Sequence, residues 1–192
     1  MTTTPVVDAD QTPVDLDPLR EELRIIYNKY RSALLNLKYY GCKVDRISSR
    51  NKIFEAIIAI GASSSGVAGF ALWKSDEGKY IWAAISGASI LLSVIKPIVG
   101  YSSDIEEYSK LYGEFATISA DYENLVNNLH KMKNGIAKSG QLPPDLVPTV
   151  RKLEEKLVAL APRGDRAPEA KLVKLMTDAV NKQIPASSLW IP

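Results

Sequence analysis

The side chains best placed to do chemistry are Ser86, Ser89, Ser93 and Lys96, which follow one another three, four and three residues apart. On an α-helix this spacing puts all four on one face. The face lies in an otherwise apolar stretch, Tyr80–Ile95, and Lys96 sits at its end. In a bilayer, hydroxyls must meet protein or water, because lipid leaves them unpaired. Such a stripe suits the lining of a water path, and a ring of lysines at its mouth would favour anions. Two helices cannot enclose water by themselves, so this reading requires several copies of the chain. The competing reading has the serines bonded back to their own helix or gluing helices together, with Lys96 an interface anchor.

No other group makes a comparable case. Asp104, Glu106 and Glu107 could form an acid–base set or a cation site, but they also fit the solvated face of a helix start. Cys42 is the only cysteine and His130 the only histidine. This excludes an intrachain disulfide and a cysteine-based metal cluster, and the pair reads as a small buried hydrophobe and a helix-surface residue. The glycines at 61 and 66 lack the Lys-Ser/Thr of a phosphate loop. No nucleophile with its base is visible, so no catalytic residue, metal site or cofactor is expected, and the chain does not read as an enzyme. A net charge of +2 with no run of five basic residues gives no reason to expect nucleic acid.

The element that must carry the stripe is one of two apolar stretches. Ala56–Trp73 and Tyr80–Ile95 contain no charge, and the six residues between them, Lys74 to Lys79, carry four charges and a glycine. That is the outline of a membrane hairpin. A bilayer core of about 30 Å needs about 20 helical residues. Extension through Ile53 and Phe54 on one side, and past a snorkelling Lys96 to Tyr101 on the other, gives spans of about 53–73 and 80–101. Aromatic residues mark both ends: Trp73, Tyr80 and Trp82 near the turn, Phe54 and Tyr101 at the opposite interface. Small residues recur four apart (Ala62/Gly66, Ser65/Gly69, Ala83/Gly87, Ser89/Ser93), as in membrane helices that approach closely. Lys38, Lys43, Arg46, Arg50 and Lys52 precede the first span, whereas the turn has only Lys74 and Lys79. The positive-inside rule then puts the turn outside and both termini in the cytoplasm of a multi-pass protein of the plasma (inner) membrane.

Long helices flank the hairpin. Asp17 as N-cap and Pro18 at the first helical position open one. A heptad repeat, the signature of a coiled coil, then runs through Leu16, Leu19, Leu23, Ile26, Tyr30, Ala33, Leu37, Tyr40, Val44 and Ile47. Gly41 weakens this helix and offers a close approach. After the hairpin, Ile105, Tyr108, Leu111, Phe115, Ile118, Tyr122, Leu125, Leu129 and Met132 make a second seam, ending at an Asn134-Gly135 C-cap. The fold class is all-α: a two-transmembrane hairpin continuing into a long antiparallel cytoplasmic helical stalk, plus short C-terminal helices. The domain map is a disordered lead-in over 1–16, a two-transmembrane helical domain over 17–133, a linker over 134–148, and amphipathic helices with an apolar tail over 149–192. The tail contains Leu189, Trp190 and Ile191, and must dock on this chain or on a partner.

Leu23-Arg24-Ile25-Ile26-Tyr27 and Tyr30-Arg31-Ser32-Ala33 lead into the first span, a short turn joins the spans, and Tyr108-Ser109-Lys110-Leu111-Tyr112 leads into the returning helix. Over roughly residues 17–133 this pattern resembles the SLATT family, bacterial two-transmembrane effectors associated with nucleotide-synthesising and nucleotide-sensing domains in conflict systems. The resemblance rests on hydropathy and helix lengths rather than on an invariant motif. It implies a homo-oligomeric, pore-forming or channel-like effector in the lipid bilayer, gated through its cytoplasmic helices, in antiviral defence, with a nucleotide-sensing or signalling partner protein. It supplies no catalytic residue. Alternatives are a non-conducting membrane anchor that recruits a partner, and a soluble helical interaction domain.

Overall fold

A computed structural model describes residues 15–63, 75–99, 101–165 and 167–192; the side chains at 60–63, 96–99 and 101–102 are outside that description. Among the described residues the chain is all-α, with no strand. The helices are α1 (Asp17–Ser63), α2 (Asp76–Val99), α3 (Tyr101–Ser139), α4 (Val147–Leu160) and α5 (Ala170–Gln183), with 3₁₀ turns at Ala161–Arg163 and Ala186–Ser188. Most of the expected disordered lead-in falls outside the described residues.

The cap of α1 lies earlier than the sequence suggested. The Asp15 carboxylate accepts the Asp17 N–H at 3.0 Å, and the Leu16 carbonyl accepts the Arg20 N–H at 2.9 Å. Asp17 is thus already helical and instead pairs with Arg20 at 2.9 Å.

The chain divides into two units. The first comprises Met1–Lys38 and Gly113–Pro192. Its core takes Leu19, Leu23, Ile26, Tyr30 and Ala33 from α1, and Phe115, Ile118, Tyr122, Leu125 and Leu129 from α3. These are seam positions of the two heptad patterns. Leu153 and Leu160 of α4, and Leu172 and Val180 of α5, are buried as well. Lys156 pairs with Asp121 at 3.0 Å and Arg163 with Glu114 at 2.6 Å. Both pairs are partly exposed and contribute at most about 1 kcal/mol each.

The end of α3 corrects the expected stop at Asn134-Gly135. The helix continues to Ser139 because Ile136 is buried and holds another turn in place. The left-handed residue is Gly140, with φ of 69°, whose N–H bonds the Ile136 carbonyl at 2.9 Å. This is the glycine cap, five residues later than expected.

The second unit is Tyr39–Tyr112. Tyr39 and Tyr40 are buried edge to face, 5.1 Å apart, and Tyr40 stacks on Tyr108 at 5.9 Å. The Lys43 ammonium sits 4.6 Å from the Tyr108 ring centre and donates to its hydroxyl at 3.4 Å. Gly41 does provide a close approach: a Cβ there would lie 3.1 Å from the Tyr112 ring.

Tyr122 shows the cost side of this packing. It is fully buried, and its hydroxyl has no hydrogen-bond partner among the described residues. Burial, and secondarily the nearby Glu154 carboxylate, push its pKa up to about 12. Tyr27 and Tyr30 are raised in the same direction, chiefly by burial. An unfolded tyrosine ionises near pH 10, so the folded state holds its protons longer, and stability is lost as pH rises from about 10 towards 12. Replacing Tyr122 by Phe removes an unsatisfied buried polar group. It should leave the protein as stable or up to about 1 kcal/mol more stable at neutral pH. The same change should blunt the alkaline loss of stability. Thermal melts of both proteins at neutral and alkaline pH check this; a clear destabilisation at neutral pH would show that the hydroxyl has a partner.

Candidate functional site

The sequence starts α2 with a local cap. Ser75 Oγ accepts the Gly78 N–H at 3.1 Å, and the Ser75 carbonyl accepts the Lys79 N–H at 3.2 Å. Asp76 and Glu77 lie in the first turn, where the helix dipole favours them, and Asp76 pairs with Lys79 at 2.8 Å. Much of the polar segment expected as a turn is therefore the first turn of the helix.

Beyond the cap, α2 is the one helix among the described residues that is long and apolar enough to cross a membrane. The qualifying window is Asp76–Ile95, 20 residues, of which 11% is buried inside the protein. Tyr80 is 79% exposed, Ile90 67%, Leu91 63% and Val94 58%. The contrast with the buried seams of the first unit is the dominant feature of this segment.

The serine stripe meets α1. Ser89 is buried; its hydroxyl lies 2.8 Å from the Ile85 carbonyl and 3.3 Å from the Ile57 carbonyl of α1. A hydroxyl has one proton, and the shorter contact takes most of it. Ser93 is exposed and donates to the Ser89 carbonyl at 2.7 Å. Ser86 is half-buried and borders a surface depression lined by Asp76, Lys79, Tyr80, Trp82 and Ala83. Ser89 and Ser93 thus satisfy their donors on their own helix, while their oxygens keep lone pairs available.

The small residues of α2 point elsewhere. Gly87 lies about 160° around the helix from Ser89. Nothing within 4 Å would meet a Cβ added to it, and Ala83 on the same side is exposed. Among the described residues, nothing fills the Ala83/Gly87 notch. On α1, Ala62 lies in the helix with its side chain outside the description, and Ser65, Gly66, Gly69 and Trp73 lie outside the described residues, so the matching half of the packing pattern does too. The side chains of Lys96 and Tyr101 are likewise outside it. Phe54 and Trp82 are half-buried.

The remaining candidates fall into ordinary roles. Asp104, Glu106 and Glu107 are exposed, and no group of metal-ligating side chains occurs among the described residues. Cys42 is half-buried, and His130 Nδ1 bonds the Val126 carbonyl of its own helix at 2.9 Å. They belong to different units.

The seam pattern missed a second covered face of α1. Tyr27 and Leu34, seven residues apart and off the heptad seam, are buried. Tyr27 donates to the Trp190 carbonyl at 2.9 Å. Leu23, Tyr27 and Leu34 at i, i+4 and i+11 carried that signal, since a helix in a multi-helix core needs a wider apolar stripe than a two-helix seam.

No family model, curated protein or solved structure matches this chain.

The two faces of α2 predict opposite responses to bulk. Ser89→Leu places a large side chain where α1 already packs and should cost about 1–3 kcal/mol. Gly87→Leu meets no described residue and should leave the monomer as stable as before, or slightly more helical. Thermal unfolding of the two variants in detergent checks the ordering; equal tolerance at both positions would contradict the packing of Ser89 on α1.

Proposed function

We propose that this protein is an integral membrane protein whose two apolar segments, about 53–73 and 80–101, form a transmembrane hairpin, and that several copies assemble into a pore or channel-like effector. The observation that carries the membrane reading is the uncovered apolar face of α2. Ile90, Leu91 and Val94 are each more than half exposed, and each such side chain left in water forgoes roughly 1.5–3 kcal/mol. Lipid removes that cost without any further protein contact.

The long helices α1 and α3 extend from the hairpin as an antiparallel cytoplasmic stalk. In support, Gly41 faces Tyr112 while Lys43 faces Tyr108, so residue numbers rise on one helix as they fall on the other. The excess of Lys and Arg before the first span supports cytoplasmic termini in a plasma-membrane protein. Two features support assembly: a single hairpin cannot enclose water, and no described residue occupies the Ala83/Gly87 notch. In the assembled pore, Ser86 and Ser93 contribute acceptor oxygens and Lys96 favours anions. The resemblance to SLATT effectors supports a role in bacterial defence, with a signalling partner supplying the trigger.

A second reading, a non-conducting anchor that recruits a partner through its cytoplasmic helices, is favoured by a specific observation. Ser89 and Ser93 spend their protons on their own helix, which is what packing serines do.

Alkaline carbonate should leave the protein in the membrane pellet; release into the supernatant would remove both readings and favour a soluble helical domain. Purified protein in phospholipid vesicles should conduct small ions as a pore and stay tight as an anchor. In a conducting sample, Lys96→Glu should shift preference from anions towards cations, and an unchanged preference would remove Lys96 from the mouth.

A further inference from the structure

The segment after α5 does not extend into solvent. Asn181 near the end of α5 accepts from the Arg31 guanidinium of α1. The chain then leaves the helix at Ile184, passes the 3₁₀ turn Ala186–Ser188, and lies along α1 towards its start. The Trp190 carbonyl accepts from Tyr27 Oη at 2.9 Å, and the Pro192 carbonyl accepts from Arg20 Nε at 2.6 Å. Arg20, Tyr27 and Arg31 thus lie on one side of α1; Arg31 holds α5, and the segment after it bonds Tyr27 and Arg20.

Two properties set this strap apart from the core. It covers something that needs covering: Tyr27 is 1% exposed, and its buried hydroxyl has the Trp190 carbonyl as acceptor. Removing the strap would take away the acceptor of that buried hydroxyl. Yet the strap is lightly held. It has no regular structure beyond one 3₁₀ turn, Leu189 and Trp190 are only half-buried, and Ile191 is 44% exposed. Its side of the two bonds to Tyr27 and Arg20 is main-chain carbonyl, which any extended peptide presents equally well. Segments with few buried contacts open at low free energy, well before the core.

We propose that residues 185–192 are a releasable, autoinhibitory strap on α1, and that lifting it from Arg20 and Tyr27 switches on the membrane activity. The switching half of this inference rests on the pore reading above; the strap itself does not. In the closed state, α1 is clamped along its outer face by a segment of its own chain. In the open state, Arg20 loses its acceptor at the Pro192 carbonyl and Tyr27 its acceptor at the Trp190 carbonyl, so this stretch of α1 is free to repack. Because α1 also carries Ile53–Ser63, the strap grips the same helix that enters the proposed first span.

The test uses the full chain reconstituted in phospholipid vesicles, next to a deletion of residues 185–192 and to Tyr27→Phe, which keeps the ring and removes only the donor. Hydrogen–deuterium exchange over 20–31 should rise by at least about tenfold in the deletion and by a few-fold in Tyr27→Phe, since hydrogen bonds and packing are lost in one and a single bond in the other. Vesicle permeability should rise in the same order while the protein stays in the carbonate-resistant pellet. Unchanged exchange in both variants would overturn the strap. Raised exchange with wild-type permeability would overturn its inhibitory role and leave the contact purely structural. A wild-type protein released by carbonate would be a failure of the membrane reading itself, and would take the switching role with it.

Discussion

An apolar helix that the described residues leave largely exposed is the constraint from which the rest follows. Most of the α2 window from Asp76 to Ile95 has no protein over it, although it is capped at its start as firmly as any soluble helix. Apolar cover exists elsewhere in the chain: the seam residues of both long helices are buried in the first unit, down to Leu23 and Leu129 at 0% exposed. Partial burial of α2 is thus not a shortage of hydrophobic partners. The one side chain on it that is both polar and buried, Ser89, marks the single side turned to α1. Elsewhere along the helix Ile81, Ile90, Leu91, Val94 and Ile95 are exposed. The proposed bilayer setting would cover this exposed face.

The separation of faces changes how the serines are to be understood. Read along the sequence, Ser86, Ser89, Ser93 and Lys96 are one stripe with one job. In three dimensions the stripe is split by the contact with α1: Ser89 is committed to it, whereas Ser86 lies at its edge and Ser93 is exposed. In the proposed pore the lining residues would be Ser86 and Ser93, with Ser89 packed on α1. The i−4 bonds of Ser89 and Ser93 explain how hydroxyls are tolerated on such a helix at all, since each donor is satisfied without water.

The seams were legible because a heptad survives translation from sequence to structure: Leu19, Leu23, Ile26, Leu125 and Leu129 are buried where their spacing put them. The short helices α4 and α5 were legible for the same reason, their Leu and Val positions falling on one face. The end of α3 was not, because Asn134-Gly135 is a sound stop signal locally and only the burial of Ile136 overrides it. The covered outer face of α1 was not either. Tyr27 and Leu34 lie off the two-helix seam, and the acceptor for Tyr27 comes from a segment 163 residues away, at a main-chain carbonyl that no side-chain pattern encodes.

The central claim is that the outward face of α2 meets lipid. It is tested most directly with a spin label on a single cysteine at Leu91→Cys or Val94→Cys, in a Cys42→Ser background, in phospholipid vesicles. Collisions with dissolved oxygen should be frequent and collisions with a polar nickel chelate rare, as the hydrocarbon core admits one and excludes the other. Ready access of the nickel chelate to both positions would place this face in water and contradict the account.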